Sequence, residues 1–386
     1  MKKDIIDLLS TKQNDKSPDA VGNAGRRFVM DKEKVNKEQN MTIDLFEEQF
    51  FIRPERTKRE QTTEGLERLD FNDELKRKIL PLCRLDKGQI WQDPVRGHKV
   101  GVLDATDSHC VEKIMGDEKA KLIVNDPPYN VAVGNANTDN LFKMNLKKYL
   151  DFSKSWIQNA IGIMDKDAHL YIWMGTDYKD NFQPLPDFMI LMREFSDLKP
   201  RNFITMRNQR GYGTQKNWMW VRQELLYYVK GTPSFYVEAE YTDIPRILKG
   251  YYKKVNGKRT ENSERSQSNC IRAGNVWVDI QQVFYRLEEN VPGCYAQKPL
   301  KSIERIVQSA SAANELVVDF FAHSGTTLIA GERLHRKVYT FEIDPVFAEI
   351  TIRRLKRYRE TGKTGWQWRN PFPEIVDKTS IKRRRF

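Results

Sequence analysis

From residue 99 onward, short apolar runs alternate with segments of helical apolar spacing, and this alternation predicts an α/β fold. In residues 149–164, apolar side chains recur every three or four positions, as in a helix with one buried face. Further helices are expected from Leu300, Thr326 and Pro345. The predicted strands cover residues 99–103, 120–124, 169–174, 203–206, 225–229, 316–318 and 337–343. Continuous apolar runs of this length are typical of strands that are buried on both faces of a parallel sheet.

The composition changes at both ends of this alternating region and once inside it. Residues 1–90 form a charged N-terminal extension, expected to be partly disordered, with one or two helices in residues 41–85. The alternating region, residues 91–365, is the predicted main domain. Residues 232–275 interrupt it with an insert rich in basic, aromatic and turn-forming residues, and residues 366–386 form a basic tail.

Charge and cysteine content narrow the class of protein. The 386-residue chain has a formal net charge of +12, which favours a polyanionic partner. The four cysteines are scattered and form no Cys-x-x-Cys pair, so zinc or dithiol chemistry is weakly supported and reduced thiols are expected. No long apolar segment near the N-terminus suggests a signal peptide or a membrane span.

The most informative motif is the turn Asp126-Pro127-Pro128-Tyr129, which follows the apolar run at residues 122–124. Prolines cannot donate to a sheet ladder, so the strand must end there. An acid and an aromatic ring are thereby fixed at the carboxyl end of a strand, where open α/β sheets bind ligands. Such a turn can hold a flat, amino-bearing ring. Taken alone, the motif is equally compatible with a surface turn.

A second candidate site lies between the strand at residues 316–318 and the helix from Thr326. Its sequence, from Asp319 to Thr327, has the strand–Gly-loop–helix spacing of a nucleotide pocket. Glu342 ends the next strand, where an acid can accept hydrogen bonds from ribose hydroxyls. The loop lacks the pattern Gly-x-Gly-x-x-Gly, which argues against a dehydrogenase.

Several motifs, in this order, resemble the β-class, circularly permuted DNA amino-methyltransferases. Asp126–Tyr129 resembles their catalytic motif, Ser324–Thr327 their cofactor loop and Phe341–Pro345 their ribose-binding strand end. Tyr295–Leu300 resembles the segment that closes over the methionine part of the cofactor, and Asn275–Ile280 resembles the run after the target-recognition insert. The resemblance covers residues 99–360. It implies a Rossmann-like class I methyltransferase fold with a doubly wound, mostly parallel sheet, a circularly permuted motif order and residues 232–275 as the target-recognition insert.

The resemblance also implies the cofactor and the residues that bind it. The cofactor is S-adenosylmethionine, and no metal is implied. The cofactor-binding residues are Asp104, Lys298, Pro299, Asp319, Phe321, Ser324, Gly325, Thr326, Thr327 and Glu342. For Asp104, a role in a turn or as a helix N-cap is an equal alternative. The loop departs from the family pattern, because Phe320 replaces Pro and His323 replaces the first Gly, which puts cofactor affinity in question.

Asp126, Pro127, Pro128 and Tyr129 are the implied catalytic residues. By hypothesis, the Asp126 carboxylate and the Pro127 carbonyl accept the two amino hydrogens of a base, and Tyr129 stacks on its ring. The base must be flipped out of the duplex for this contact. Tyr171 and Trp173 are expected to be core residues, and His169 a structural one.

Basic residues in two regions are the candidates for DNA contact. The basic and aromatic segment 208–220, with Arg207 before it, is interpreted as a loop that contacts DNA. The second region is the insert. The candidate residues are Arg207, Arg210, Lys216, Lys253, Lys254, Lys258 and Arg259.

The predicted function is transfer of a methyl group from S-adenosylmethionine to the N6 amine of adenine in a specific DNA sequence. The alternatives are cytosine-N4 methylation, RNA as substrate, or a catalytically silent DNA-binding subunit. Double-stranded DNA is the expected partner, with no membrane. The resemblance allows a homodimer and a partner restriction nuclease, although no sequence feature indicates either. The expected location is the cytoplasm, with nucleoid association, in a prokaryote or phage.

Overall fold

The structure is a computed structural model. It describes residues 66–128, 145–175, 183–212, 218, 220–236, 241–245, 253–255, 258–260, 270–283, 286–367 and 369–375. Tyr129 and Lys216, two of the predicted site residues, lie outside these ranges. So do most of the predicted N-terminal extension and the end of the basic tail.

A nine-stranded sheet forms the centre of the described part of the molecule. Its strands are β1 (Ile90–Gln92), β2 (Lys99–Val102), β3 (Ala120–Asn125), β4 (Met164–Met174), β5 (Lys199–Tyr212), β6 (Trp220–Lys230), β11 (Val276–Trp277), β12 (Leu316–Asp319) and β13 (Lys337–Glu342). Their order across the sheet is β1-β2-β13-β12-β3-β4-β6-β5-β11. Four short strands lie outside this sheet: β7 (Tyr241–Pro245), β8 (Lys253–Val255), β9 (Lys258–Thr260) and β10 (Cys270–Arg272).

The central strands are parallel, and the chain reverses its winding direction between β12 and β3. Val317 and Val318 of β12 pair in parallel with Leu122 and Ile123 of β3. From β3 the chain continues outward to β4, whereas from β12 it continues in the opposite direction to β13. Only β1 and β6 run against the other strands of this sheet. The doubly wound, mostly parallel sheet predicted from the sequence is therefore confirmed, and its switch point lies between the two predicted motifs.

Helices cover both faces of the sheet. They are α1 (Asp73–Ile79), α2 (Ser108–Met115), α3 (Leu146–Ile163), α4 (Pro184–Leu191), α5 (Leu300–Ala310), α6 (Thr326–Arg333) and α7 (Pro345–Thr361). Short 3-10 turns cover Leu69–Phe71, Leu80–Leu82, Met192–Glu194, Leu287–Glu289 and Pro373–Ile375. One core cluster joins the sheet to α2, α3 and α4. A second cluster joins the opposite face to α5, α6 and α7. Alternate side chains of each buried strand serve these two clusters, which explains the continuous apolar runs.

The helix signals in the sequence are confirmed where α7 begins and ends. Asp344 caps α7, its carboxylate accepting a hydrogen bond from the Val346 N–H at 2.9 Å, and Pro345 is the first helical residue. Gly362 ends the helix with φ +70°, the left-handed conformation that favours glycine. The strand that contains His169, Tyr171 and Trp173 is buried as predicted.

A third core cluster lies at the start of α7 and contains residues from both ends of the described chain. Leu69 and Ile79, in the region assigned to the N-terminal extension, are fully buried there. Trp366 and Phe372, from the region assigned to the tail, are buried in the same cluster. Residues 66–79 and 366–372 thus contribute to the core of the unit that spans Thr62–Phe386.

Two segments differ from the sequence-based expectation. Residues 208–212 and 220 were expected in a loop, but they extend strands β5 and β6, with Tyr212 opposite Trp220. Their glycine and polar residues conceal the strand pattern, and pairing with the neighbouring strand supplies the order that the local sequence does not. The insert contains two small antiparallel pairs, β7 with β10 and β8 with β9.

The remaining residues raised by the sequence have structural roles or stand alone. His169 is buried, its Nδ1 lying 2.9 Å from the Tyr227 hydroxyl and its Nε2 3.0 Å from the Ser234 carbonyl oxygen. Burial lowers the pKa of His169 to about 4, which suits its expected structural role. The four cysteines form no disulfide. No helix in the described ranges has the length and apolar character that a membrane span requires.

Candidate active site

The Asp126 turn lies at the carboxyl end of β3, beside the switch point of the sheet. Val124 and Asn125 are buried at the end of the strand, and Pro127 is buried just beyond it. Asp126 is partly exposed, and its carboxylate faces the adjoining cavity. The prolines end the ladder because they lack an N–H donor. The sequence therefore places an acid at the mouth of the crevice that the reversal of winding creates.

Asn125 joins this turn to the neighbouring cofactor loop. Its Oδ1 accepts a hydrogen bond from the backbone N–H of Phe320 at 3.0 Å, and the Asn125 side chain is fully buried. Phe320 directly follows the last residue of β12. This contact fixes the distance between the two motifs, and the sequence analysis did not identify it.

The loop from Phe320 to Gly325 links β12 to α6. Gly325 has φ +73°, and a Cβ there would lie 2.8 Å from Thr351 Cγ2, so both the conformation and the space require glycine. His323 also has a positive φ, +44°. Its backbone N–H donates to Glu342 Oε2 at 2.8 Å. The loop thereby places the carboxylate of Glu342 at the end of the adjacent strand β13.

Asp319 is a buried acid with a perturbed pKa. Its Oδ1 accepts a hydrogen bond from the Phe321 N–H at 2.9 Å. Burial raises the pKa of Asp319 to about 7, and the charges of Asp126 and Glu342 act in the same direction, against the hydrogen bonds from Thr327 and Phe321. Burial likewise raises the pKa of Glu342 above its ordinary value. Carboxyl groups that resist ionisation in this way favour a cationic ligand, because its charge offsets their repulsion.

Lys298 supplies a positive charge to the same crevice. Its Nζ lies 2.6 Å from Asp126 Oδ2, and the Lys298 side chain is 9% exposed. The same Nζ lies 5.4 Å from the centroid of the Trp173 ring. Pro299 follows as the N-cap of α5, which holds the backbone of Lys298 beside the cofactor loop. The pair joins the segment before α5 to the Asp126 turn.

A single cavity collects most of the predicted site residues. Its walls include seven of them: Asp126, Lys298, Asp319, Phe321, Ser324, Thr326 and Thr327. Gly325, Glu342 and Pro299 lie next to these residues in the loop, at the end of β13 and at the start of α5. The structure therefore brings the two motifs, 193 positions apart from Asp126 to Asp319, to one crevice.

Asp104 lies one strand further along the same edge, after β2. Its Oδ1 accepts hydrogen bonds from the backbone N–H and the hydroxyl of Thr106, at 2.8 and 2.7 Å. The N-cap of α2 is Asp107 and not Asp104. Asp104 therefore stabilises a turn, and a contact with the cofactor remains a prediction.

Two residues of the site carry no recognisable signal in the sequence. Trp173 was expected to be a core residue; it is fully buried as expected, yet it also lines the cavity. Arg354 on α7 is fully buried and donates to the Ser324 carbonyl oxygen and the Thr326 hydroxyl, at 2.9 and 3.0 Å. Burial lowers the pKa of Arg354 to about 10. Arg354 supports the loop from below, but its sequence context is that of any basic residue on a helix.

Most residues predicted to contact DNA lie away from this cavity. Arg207 is exposed on β5, opposite Arg222 of β6, and lies three residues beyond Ile204, which is level with Trp173 across the sheet. Arg207 thus extends past the edge that carries Asp126. Arg210 lies on the same strand. Lys254 stands opposite Arg259, and Val255 opposite Lys258, in the β8–β9 hairpin, which begins at Lys253.

The cavity suits S-adenosylmethionine, a sulfonium cation that also bears an ammonium group, a carboxylate and ribose hydroxyls. Asp319 and Glu342 are acceptors for cationic and hydroxyl groups, Lys298 is a partner for a carboxylate, and Phe321 is an apolar wall. Trp173 Nε1 is a buried donor with no hydrogen-bond partner among the described residues, as expected where a ligand supplies the acceptor.

The doubly wound sheet and the crevice at its switch point define a class I methyltransferase. More specifically, the chain belongs to the DNA methylase family, whose model matches residues 120–353. It is a DNA methyltransferase with S-adenosylmethionine as its cofactor, as predicted from the sequence.

Similar proteins include two curated enzymes and a solved structure. The type II methyltransferase M.HpaI of Haemophilus parainfluenzae is 26% identical over 243 residues, 63% of this chain and 70% of that protein. The DNA adenine methyltransferase YhdJ of Escherichia coli K12 is 26% identical over 273 residues, 68% of this chain and 85% of that protein. TTHA0409 of Thermus thermophilus, a modification methylase solved with S-adenosyl-L-methionine, is 19% identical and aligns over 68% of this chain and 94% of its own, with a TM-score of 0.43.

Proposed function

We propose that this enzyme methylates the N6 amine of adenine within a specific sequence of double-stranded DNA. The observation that carries the proposal is the shared cavity, whose walls include both the Asp126 carboxylate and the loop from Asp319 to Thr327. A target amine beside Asp126 and a cofactor held by the loop would meet in this crevice. Holding two reactants in this way supplies proximity and orientation, so no covalent enzyme intermediate is needed.

The Asp126 turn addresses the low reactivity of the amine. The lone pair of an adenine amino nitrogen is delocalised into the ring, so the nitrogen is a weak nucleophile. The Asp126 carboxylate accepts a hydrogen bond from one amino hydrogen and the Pro127 carbonyl accepts one from the other. Both contacts localise the lone pair on nitrogen. The amine gains a methyl group and releases one proton, which Asp126 can accept and pass to solvent.

The residues of the cofactor loop hold the methyl donor. S-adenosylmethionine, when bound, supplies an activated methyl group. Glu342 accepts hydrogen bonds from ribose hydroxyls, and Asp319, Phe321 and the run Ser324–Thr327 surround the methionine part together with Lys298 and Pro299. Asp104 contributes beside the adenine ring. These assignments extend the observed lining of the cavity and the contact between His323 and Glu342.

The target base must leave the duplex to reach Asp126, at a free-energy cost of a few kcal/mol. Tyr129 is expected to stack on the flipped ring. Positive side chains compensate for part of this cost by binding phosphates. Arg207, beyond the edge of the sheet that carries Asp126, is placed to contact DNA near the cavity. Arg210 and Lys216 extend this surface, and Lys253, Lys254, Lys258 and Arg259 provide a second one.

Adenine is favoured over cytosine by the acid at position 126. Asp in this motif resembles the adenine-specific members of the family. YhdJ of Escherichia coli, which is called a DNA adenine methyltransferase, supports the same choice. The order of the motifs along the chain, with the Asp126 turn before the Asp319 loop, supports the circularly permuted β-class arrangement.

The cellular setting follows from relatives of the restriction-modification type, such as M.HpaI. The enzyme is proposed to act in the cytoplasm on nucleoid DNA, and to protect sites against a partner restriction nuclease. A homodimer is also proposed. Light scattering of the purified protein tests the homodimer, because a mass of about one chain would contradict it.

Analysis of methylated nucleosides tests the proposed reaction. DNA incubated with the enzyme and labelled S-adenosylmethionine is digested to nucleosides and separated. Label in N6-methyladenine is the expected result. Label in N4-methylcytosine would contradict the choice of base and leave the site intact, whereas no label in DNA, despite cofactor binding, would contradict the proposed reaction.

A further inference from the structure

A segment that precedes the sheet, residues 66–72, contacts both sides of the cofactor cavity; we name it the strap. On one side, the Leu69 N–H donates to the Gly293 carbonyl oxygen at 3.0 Å, and the Arg68 guanidinium lies 3.9 Å from the centroid of the Tyr295 ring. On the other side, Asp70 Oδ1 lies 3.3 Å from His323 Nε2.

These two sides are the walls of the cavity. Tyr295 directly precedes Ala296, and Ala296 and His323 both line the cavity, together with Lys298. The strap therefore joins two walls that belong to different parts of the chain. It lies outside residues 120–353, the part of the chain that matches the DNA methylase family.

Packing anchors the strap. Leu69 is fully buried in the third core cluster, beside Cys294 and Phe347. A Cβ added to Gly293 would lie 2.8 Å from Leu69 Cδ1, and Gly293 has φ +89°, a conformation that favours glycine. Main-chain and side-chain contacts thus fit the strap closely to the segment that leads to Lys298.

His323 is the residue of the cavity that most needs support. At +44° its φ lies in the left-handed region, where residues other than glycine are strained. The backbone on both sides of the ring is engaged: the N–H donates to Glu342 Oε2 at 2.8 Å, and the carbonyl oxygen accepts from the Thr351 hydroxyl at 3.2 Å. The His323 ring lies 4.6 Å from the Phe347 ring, between centroids. A shift of this residue would therefore move the N–H that orients Glu342.

Asp70 is a charged acceptor for this ring. Its second oxygen, Oδ2, lies 3.2 Å from Arg68 Nε, so each oxygen of Asp70 faces a nitrogen donor. Burial alone would raise the pKa of Asp70, but the contacts with His323 and Arg68 outweigh it, and the pKa is lowered overall. Asp70 therefore stays ionised and accepts a hydrogen bond from His323 Nε2–H.

We propose that the strap is part of the cofactor site and that Asp70 is a positioning residue, which holds His323 in its left-handed conformation and so keeps Glu342 oriented toward the cofactor. The proposal rests on the cofactor site proposed above. It also accounts for the histidine at a position where the family loop has glycine: the strap supplies, from outside the loop, a contact that stabilises the strained conformation. Asp70 acts through His323 and does not touch the reacting atoms.

A double-mutant cycle between Asp70 and His323 tests this role. The variants are Asp70→Ala, His323→Gly and the combination, with Asp70→Glu as the conservative variant and Glu74→Gln as the control. Glu74 belongs to α1, just after the strap, and forms an exposed pair with Lys78. Binding of S-adenosylmethionine without DNA is measured by calorimetry, and KM for the cofactor and kcat by methyl transfer.

Asp70→Ala is expected to raise the Kd and the KM for S-adenosylmethionine about five-fold, the scale of one charge-assisted hydrogen bond at a partly exposed site. The kcat at saturating cofactor should remain unchanged, because Asp70 does not act on the reacting atoms. Asp70→Glu should recover part of the affinity, and Glu74→Gln should have none of these effects. In the His323→Gly background, Asp70→Ala should change nothing further, because glycine needs no support at positive φ.

An unchanged Kd in Asp70→Ala would overturn the proposal. So would an equal rise of the Kd in the His323→Gly background, since it would mean that the strap contributes only general stability. If Asp70→Ala does not fold, Asp70→Asn, which keeps the size of the side chain, is compared in the same cycle and read in the same way. A failure of the unmodified protein to bind S-adenosylmethionine would contradict the underlying cofactor site, and this proposal with it.

Discussion

Asn125 is the residue on which the geometry between the two motifs depends most directly. Asn125→Ala leaves the Phe320 N–H without its partner in a buried position. We expect a loss of about 1–3 kcal/mol in the free energy of unfolding, the usual penalty for a buried donor without an acceptor. The rate of methyl transfer should also fall, because the Asp126 turn is no longer fixed to the cofactor loop. Urea unfolding and single-turnover rates measure the two effects.

Asn159→Ala is the matched control for this variant. Asn159 on α3 donates to the Ala105 carbonyl oxygen at 2.8 Å, away from the crevice. Its loss should lower stability while the single-turnover rate stays unchanged. If both variants reduced the rate in proportion to their loss of stability, the special role of Asn125 would be contradicted.

Asp319 gives the stability of the cofactor-free protein a specific pH dependence. Its pKa is raised from an ordinary value of 3.8 to about 7 by burial, so the folded state holds its proton over a range in which the unfolded state has lost it. The contribution of this group to stability is therefore fully present below the unfolded pKa and is lost as the pH rises through 7. The slope is at most about 1.4 kcal/mol per pH unit.

Comparison with Asp319→Asn isolates this effect, because other titrating groups cancel in the difference. Urea unfolding of both proteins without cofactor, from about pH 5 to about pH 8, should show the unmodified protein losing stability relative to the variant as the pH rises. A difference that stays constant over this range would show that Asp319 does not titrate there.

At the scale of elements, the β8–β9 hairpin is the basic element of the insert. Its strands carry Lys253, Lys254, Lys258 and Arg259 within a few residues. Replacing all four by alanine should weaken DNA binding and reduce the salt dependence of the binding constant, by about 0.9 in log–log slope for each phosphate that the protein no longer neutralises. Fluorescence anisotropy at several salt concentrations measures both quantities.

Four exposed lysines on the main domain provide a control of nearly equal charge: Lys87, Lys119, Lys356 and Lys363. Their replacement by alanine should change the slope much less, because the effect depends on contact with phosphates and not on net charge alone. Equal slopes for the two variants would move the recognition surface away from the hairpin.

Regular elements were predictable where burial and local sequence agree. The run before Asp126 and the helix from Pro345 carry strong signals, in continuous apolar composition and in capping residues, and both are confirmed. Residues 208–212 carry a weak signal, since glycine and polar side chains interrupt the alternation. Their strand structure comes from pairing with β6, which a local pattern does not reveal.

At the scale of the whole molecule, the sequence predicted the crevice but not what fixes it. The adjacency of the strands that end at Asp126 and Asp319 follows from the doubly wound topology, and it is confirmed. The contacts of Asn125, Arg354 and Asp70 are different, because they join residues distant in sequence through single hydrogen bonds. Such contacts depend on the final packing, and no spacing in one sequence indicates them.

The extent of the catalytic unit leads to a prediction about truncation. Residues 62–386 form one compact unit, and the strap begins at residue 66. A chain that lacks residues 1–61 should keep the Kd for S-adenosylmethionine and the thermal midpoint of the unit. A chain that lacks residues 1–72 should bind the cofactor more weakly and unfold at a lower temperature, because Leu69 leaves the third core cluster. Equal behaviour of the two truncated chains in calorimetry would contradict this boundary.

The central claim is that the Asp126 carboxylate acts on an amine in the cavity that also holds the cofactor. The most direct test is Asp126→Ala, with the single-turnover rate on DNA and the Kd for S-adenosylmethionine measured on the same preparation. Lys298→Met is the control, since it removes the same ion pair and keeps the carboxylate. We predict that Asp126→Ala lowers the rate at least about 100-fold, as for other preorganised hydrogen-bonding groups, while the cofactor still binds. Lys298→Met should weaken cofactor binding more than it slows the chemical step. Methyl transfer by Asp126→Ala at the unmodified rate would contradict the account.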